Sequence, residues 1–164
     1  MNSTQRLIVA AVGGILLSRP LPGQAKGWVL DSVIDRTTGD VVLQAVASGD
    51  KVGTFKPGSG ILTVTCEHKT VVVNLISVYI DMFTVSQGTV SLTTRLDNGP
   101  AVTEVWPVPN QAIPMEAEVR GAPALALART LANHTKYSVA GNQSEVFHIP
   151  NTDVLKKLLT RCVG

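Results

Sequence analysis

A mainly β domain, antiparallel and sandwich-like or barrel-like, with two short helices in its C-terminal third and one disulfide, is the fold class this sequence predicts. Three observations predict it. Valine and threonine dominate from Trp28 to Val119, in short runs split by Gly, Asp, Asn and Pro, which is the texture of strands joined by turns. Alanine and leucine take over near Pro123, and an apolar stripe at helical spacing returns after Asn151. Cys66 ends a strand run and Cys162 lies at the end of the last helical run, so a bridge between them would staple helix to sheet. Alternation alone does not separate a sandwich from a barrel, because both obey it.

Residues 1–25 read as an export signal rather than as part of the fold. Arg6 supplies a basic start, Leu7 to Leu17 an apolar run, and Gly23-Gln24-Ala25 the small residues of a cleavage site, so cleavage is expected after Ala25. The apolar run falls short of the roughly 20 residues that span a bilayer. Pro20 and Pro22 break the helix just beyond it, which argues against an uncleaved anchor. What remains, residues 26–164, has the size of one domain with one core. The signal takes Arg6 and Arg19 with it, and the remaining basic residues then equal the 12 acidic ones. The overall charge of +2 therefore gives no support to a nucleic-acid or anionic-membrane partner.

Taken in order, strands are expected at Trp28–Ile34, Val41–Ala47, Gly60–Cys66, Thr70–Tyr79, Thr89–Leu96, Ala101–Trp106 and Ala112–Arg120. Ser48 to Gly60 is the longest expected loop. In Ile61-Leu62-Thr63-Val64-Thr65-Cys66, alternation turns Leu62, Val64 and Cys66 to one side, placing Cys66 toward the core. Asp97-Asn98-Gly99-Pro100 is a strong turn and makes Thr89 to Trp106 a hairpin. A helix is expected from Pro123 to Ala132, then short strands at Tyr137–Ala140 and Glu145–Ile149 around Gly141-Asn142. The final helix runs from Thr152 to Cys162, capped at Asn151-Thr152-Asp153, with Val154, Leu155, Leu158 and Leu159 on one stripe. In an oxidising compartment the isolated pair Cys66 and Cys162 is expected to form one disulfide, and no CxxC motif supports a redox pair.

Catalytic signatures are sparse. His68, His134 and His148 are scattered, with no HExxH motif and no i, i+4 pair, so no metal site is expected. No GxSxG elbow occurs, and Gly58-Ser59-Gly60 lacks the lysine and helix of a phosphate-binding loop. Glu116 and Glu118 share one side of a strand, which suits acid/base work but is commoner on a solvated face. Asn133-His134-Thr135 and Asn142-Gln143-Ser144 match the glycosylation sequon. Trp28 and Trp106 read first as core anchors and second as a binding platform.

Gly27-Trp28-Val29, the strand Leu62-Thr63-Val64-Thr65-Cys66, Thr94-Arg95-Leu96-Asp97 followed by Trp106, and Val146-Phe147-His148-Ile149 ahead of a helix reaching Cys162 are carried in that order. This pattern resembles the VasI/TagO family of exported proteins encoded with type VI secretion systems, over most of the chain after the signal. The resemblance implies an antiparallel β-sandwich with a disulfide, no cofactor, and a non-enzymatic accessory or binding role with a protein partner in the cell envelope. If a binding surface is shared, it implies Arg95, Asp97 and Trp106, which flank one hairpin turn and would set charge beside an aromatic face. The expected location is periplasmic or extracellular, with no membrane span after cleavage. A periplasmic inhibitor or immunity protein against a cell-wall hydrolase, and an unrecognised hydrolase using His68 or His148, are the competing readings.

Overall fold

The strands of this chain are rich in β-branched residues and pair antiparallel throughout. The computed structural model describes residues 27–34, 38–51, 60–77, 80, 85–110, 115–140 and 144–163. Among these, the strands are β1 (Val29–Ile34), β2 (Val41–Lys51), β3 (Ile61–Glu67), β4 (Thr70–Ile76), β5 (Val85–Ser86), β6 (Thr89–Leu96), β7 (Val102–Pro107), β8 (Glu116–Arg120), β9 (Lys136–Ala140) and β10 (Ser144–His148). Two helices, α1 (Ala122–Leu131) and α2 (Thr152–Val163), complete the fold. The expected signal segment, the Gly141-Asn142 turn and the second sequon with Asn142 lie outside the described residues.

The strands form one sheet in the order β5-β6-β9-β10-β2-β3-β4-β8, with β7 on the other edge of β6 and β1 beside β2. β2 joins the two halves. Its first six residues pair with β1, and Gly49–Lys51 pair with β10 on the same edge. The sheet curls into a half-barrel, and β7 and β8 come close to one another. The sandwich-or-barrel question thus resolves to a single curled sheet.

The inner face carries the core. Ala45, Val64 and Val73 fall in one register row and Ala47, Leu62, Leu75 and Ala117 in the next, all buried. Leu92, Tyr137, Val139 and Phe147 continue that core from the other half of the sheet. α2 packs on β1 to β4, burying Leu155, Leu158, Leu159 and Cys162, and α1 packs on β4, β8 and α2. The stripe read from sequence is therefore the buried one, since i, i+3 and i+4 positions share a helix face. Cys66 and Cys162 are bonded, with their Cα atoms 5.6 Å apart. No helix among the described residues is long and apolar enough to cross a membrane.

Trp28, near the start of the described residues, is clipped to the start of α2. The Trp28 amide donates to Asn151 Oδ1 (2.5 Å), and Asn151 Nδ2 donates back to the Trp28 carbonyl. Gly27 has φ of +115° and lies where a Cβ would overlap the Asn151 amide, so only glycine fits. Trp28 itself is buried, as expected of a core anchor.

Three expectations are corrected. Ser48–Lys51 is strand rather than the beginning of a loop, because Gly49 lets Phe147 of β10 pack against it: a Cβ there would meet the ring at 3.1 Å. The strand expected to reach Tyr79 stops at Ile76, where the Ser77 amide turns to the Met115 carbonyl (2.8 Å). The short strand β5 was not foreseen. It pairs with β6 through Gln87-Gly88, both at positive φ as a two-residue hairpin turn of this twist requires. The expected strand from Ala112 is described only from Glu116 onward.

Candidate functional site

Asp97 begins the turn between β6 and β7, which the Gly99 amide closes on the Leu96 carbonyl (2.8 Å). Its φ of 45° is left-handed, a conformation aspartate tolerates better than most residues. From there its carboxylate reaches the junction between α1 and β9. Oδ1 accepts from the Thr135 amide (3.0 Å), the Thr135 hydroxyl (3.1 Å) and the Lys136 amide (2.9 Å). Oδ2 lies 2.7 Å from His134 Nδ1, which carries the proton of that bond. The Asp97 amide completes the clasp by donating to the Lys136 carbonyl (2.8 Å).

The His134 bond, followed by the Thr135 and Lys136 donors, outweighs partial desolvation and lowers the Asp97 pKa to about 2. Because the folded value lies below the ordinary one, the clasp stabilises above about pH 4. That contribution is lost as pH falls toward 2. The Asp97 side chain is 40% exposed, so solvent screening holds the effect to about 1 kcal/mol. Asp97→Asn keeps the turn conformation and removes the charge. It is expected to cost about 1 kcal/mol at pH 7 and to flatten this acid limb in urea titrations from pH 7 to pH 2.

Asp97, Asn98, Thr135, Lys136, His148 and Pro150 line a depression of about 410 Å³. The Asp97 oxygens are engaged, so the groups it offers are the Asn98 amide, the Lys136 ammonium (3.4 Å from Asn98 Oδ1) and the His148 imidazole. His148 Nε2 stands 3.6 Å from Asp50. Such a set can hydrogen-bond a polar chain and pair with a carboxylate.

Arg95, Asp97 and Trp106 do not share one surface. Arg95 is exposed, whereas Trp106 pairs with Val90 at the far end of the hairpin and points inward, 2% exposed. Its indole N–H donates to Glu104 Oε2 (3.1 Å). The aromatic is thus part of the core, and among the described residues no aromatic face is found beside the Asp97 turn.

The histidines each approach an aspartate from another element. His68 stands 3.2 Å from Asp40 on an exposed turn, His134 holds Asp97, and His148 faces Asp50. His134 bonds Asp97, and His148 lines the same depression as Asp97, a placement that no sequence spacing announces. Among the described residues no three metal-binding side chains gather. Glu116 and Glu118 share the outer face of β8, as expected. Glu118 is paired with Arg120, which also donates to Glu67 (2.8 Å). Burial first, and the Glu118 charge second, push the Glu116 carboxyl up. Asn133 of the first sequon donates to the Arg129 carbonyl, and the Thr135 hydroxyl belongs to the Asp97 clasp. Gly58 and Ser59 lie outside the described residues.

Glu145 was missed by the sequence reading. It lies on the inner face of β10 beside Phe147, 2% exposed, and accepts from the Gly60 amide (2.5 Å) and from Ser77. Burial pushes its carboxyl up, and those two donors offset part of the shift. The alternation Glu145-Val146-Phe147 puts Glu145 and Phe147 on one side, which was the available signal.

No family model matches this chain, and comparison with curated proteins and with solved structures finds no match either.

Proposed function

We propose that this is an exported, non-enzymatic binding or accessory protein of the cell envelope, of the kind the VasI/TagO resemblance implies, working beside a type VI secretion apparatus. The depression at the Asp97 turn is its contact with a protein partner. The Cys66–Cys162 bridge is the observation that carries the export part of this reading, because disulfides of this kind persist in oxidising compartments. The depression supports the binding part: the clasp sets Asn98 beside Lys136, and the pairing of β10 with β9 brings His148 next to them, where a partner's polar chain can reach all three.

The test is affinity capture of the tagged protein from its native envelope fraction, beside a Lys136→Glu variant that retains the wild-type melting temperature. Secretion-apparatus components in the wild-type eluate, depleted at least about 10-fold by the variant, are the expected result. Recovery of a cell-wall hydrolase would replace this reading with the inhibitor one. Equal recovery by both proteins would remove the depression from the contact. Cytoplasmic protein with two alkylatable thiols would overturn export.

A further inference from the structure

We infer that β1 is a docking edge for a second copy of this chain, joined antiparallel about a two-fold axis through Ser32. Exposed large apolar side chains concentrate here: Val29, Leu30, Val33 and Ile34 on β1, and Val41 opposite Ile34. They occupy both faces of the strand. Side chains that are apolar on both faces suit a strand inside a sheet, whereas β1 pairs only with β2 among the described residues.

The hydrogen-bond phase shows which backbone groups face outward. Gly49 donates to the Gly60 carbonyl, so odd-numbered residues of β2 bond to β3 and even-numbered ones bond to β1. Val42, Gln44 and Val46 oppose Val33, Asp31 and Val29, so the amides and carbonyls of Leu30, Ser32 and Ile34 point away from the sheet. The Ser32 amide accordingly bonds to no strand and donates to the carboxylate of its own neighbour Asp31 (2.8 Å). Asp31 thus caps the edge and must release that amide before a second strand can add.

Two-fold registers centred on Leu30, Asp31, Ser32 or Val33 keep this phase, and charge and apolar matching choose among them. Centring on Asp31 sets two carboxylates directly opposite one another, which is destabilising. Centring on Leu30 leaves Ile34, the most exposed apolar residue of β1 at 68%, beyond the paired residues, and centring on Val33 leaves Val29 and Leu30 beyond them. Centring on Ser32 places Leu30 of each copy against Ile34 of the other and Asp31 against Val33, so the apolar side chains cover each other and no like charges face. The pairing is isologous, as a closed dimer requires.

The test is the mass of the purified protein by light scattering and sedimentation across a concentration series, with two variants. Wild type is expected to move from monomer to twice the monomer mass, and Ile34→Lys to stay monomeric with unchanged far-ultraviolet circular dichroism. Ser32→Cys lies on the axis, where opposed Cα atoms about 5.5 Å apart suit a disulfide. It is expected to give a covalent dimer on mild oxidation. A wild type that stays monomeric throughout, a dimer untouched by Ile34→Lys, or a Ser32→Cys protein that does not cross-link would each overturn the inference.

Discussion

Removing the Cys66–Cys162 bridge, by reduction or by replacing both cysteines with alanine, is expected to lower the unfolding free energy by about 4 to 5 kcal/mol. The bridge closes a loop with a sequence separation of 96, and the chain entropy it withholds from the unfolded state grows with the logarithm of that separation. The loss is a large fraction of the roughly 5–15 kcal/mol that holds a domain of this size together. It corresponds to a fall in melting temperature on the order of 10–20 °C. Leu155, Leu158 and Leu159 also bury α2 on the sheet, contacts separate from the bond itself. The reduced protein should therefore keep its far-ultraviolet spectrum at low temperature and unfold earlier in urea. Superimposable urea curves with and without reductant would show that the bridge withholds little entropy.

The same bridge shows what alternation could convey. Leu62, Val64 and Cys66 are an i, i+2, i+4 series, so a period of two placed the cysteine on the inner face without any knowledge of partners. The α2 stripe and the Asp97-Asn98-Gly99 turn were legible for similar reasons, since each is specified by residues within one or two turns of chain. Curling into a half-barrel was not. Whether β2 ends at Ala47 or runs on to pair with β10 depends on Gly49 making room for Phe147, nearly 100 residues away. The site followed the same division. Asp97 stood out as a turn residue, but its donors His134, Thr135 and Lys136 lie 37 to 39 residues on and carry no motif. Trp106 reads first as a core anchor and is one; what fails is the surface that the resemblance implies for it, because Trp106 pairs with Val90 at the far end of the hairpin and is 2% exposed.

Gly60→Ala is expected to cost about 3 kcal/mol, although it changes a single hydrogen to a methyl group. A Cβ at Gly60 would overlap the carboxylate of Glu145, which is held against the Gly60 amide at 2.5 Å. The methyl can be accommodated only if the carboxylate leaves, and leaving costs Glu145 its hydrogen bonds in a place that water does not reach. The coupling makes the prediction specific. Glu145→Ala removes the obstacle, so the double variant should cost less than the sum of the single ones by about 1–2 kcal/mol in a double-mutant cycle. Strict additivity would mean that the two residues do not oppose each other in this way. Titration supplies an independent check. Burial holds the Glu145 pKa above its ordinary 4.5, so the folded state keeps a proton that the unfolded state has released. Its contribution is complete below pH 4.5 and is lost as pH rises through the folded value. Glu145→Gln keeps an acceptor for Gly60 and removes the charge. It should abolish that alkaline limb and leave the protein at least as stable as wild type at pH 7, whereas a limb that survives the substitution would have to come from another group.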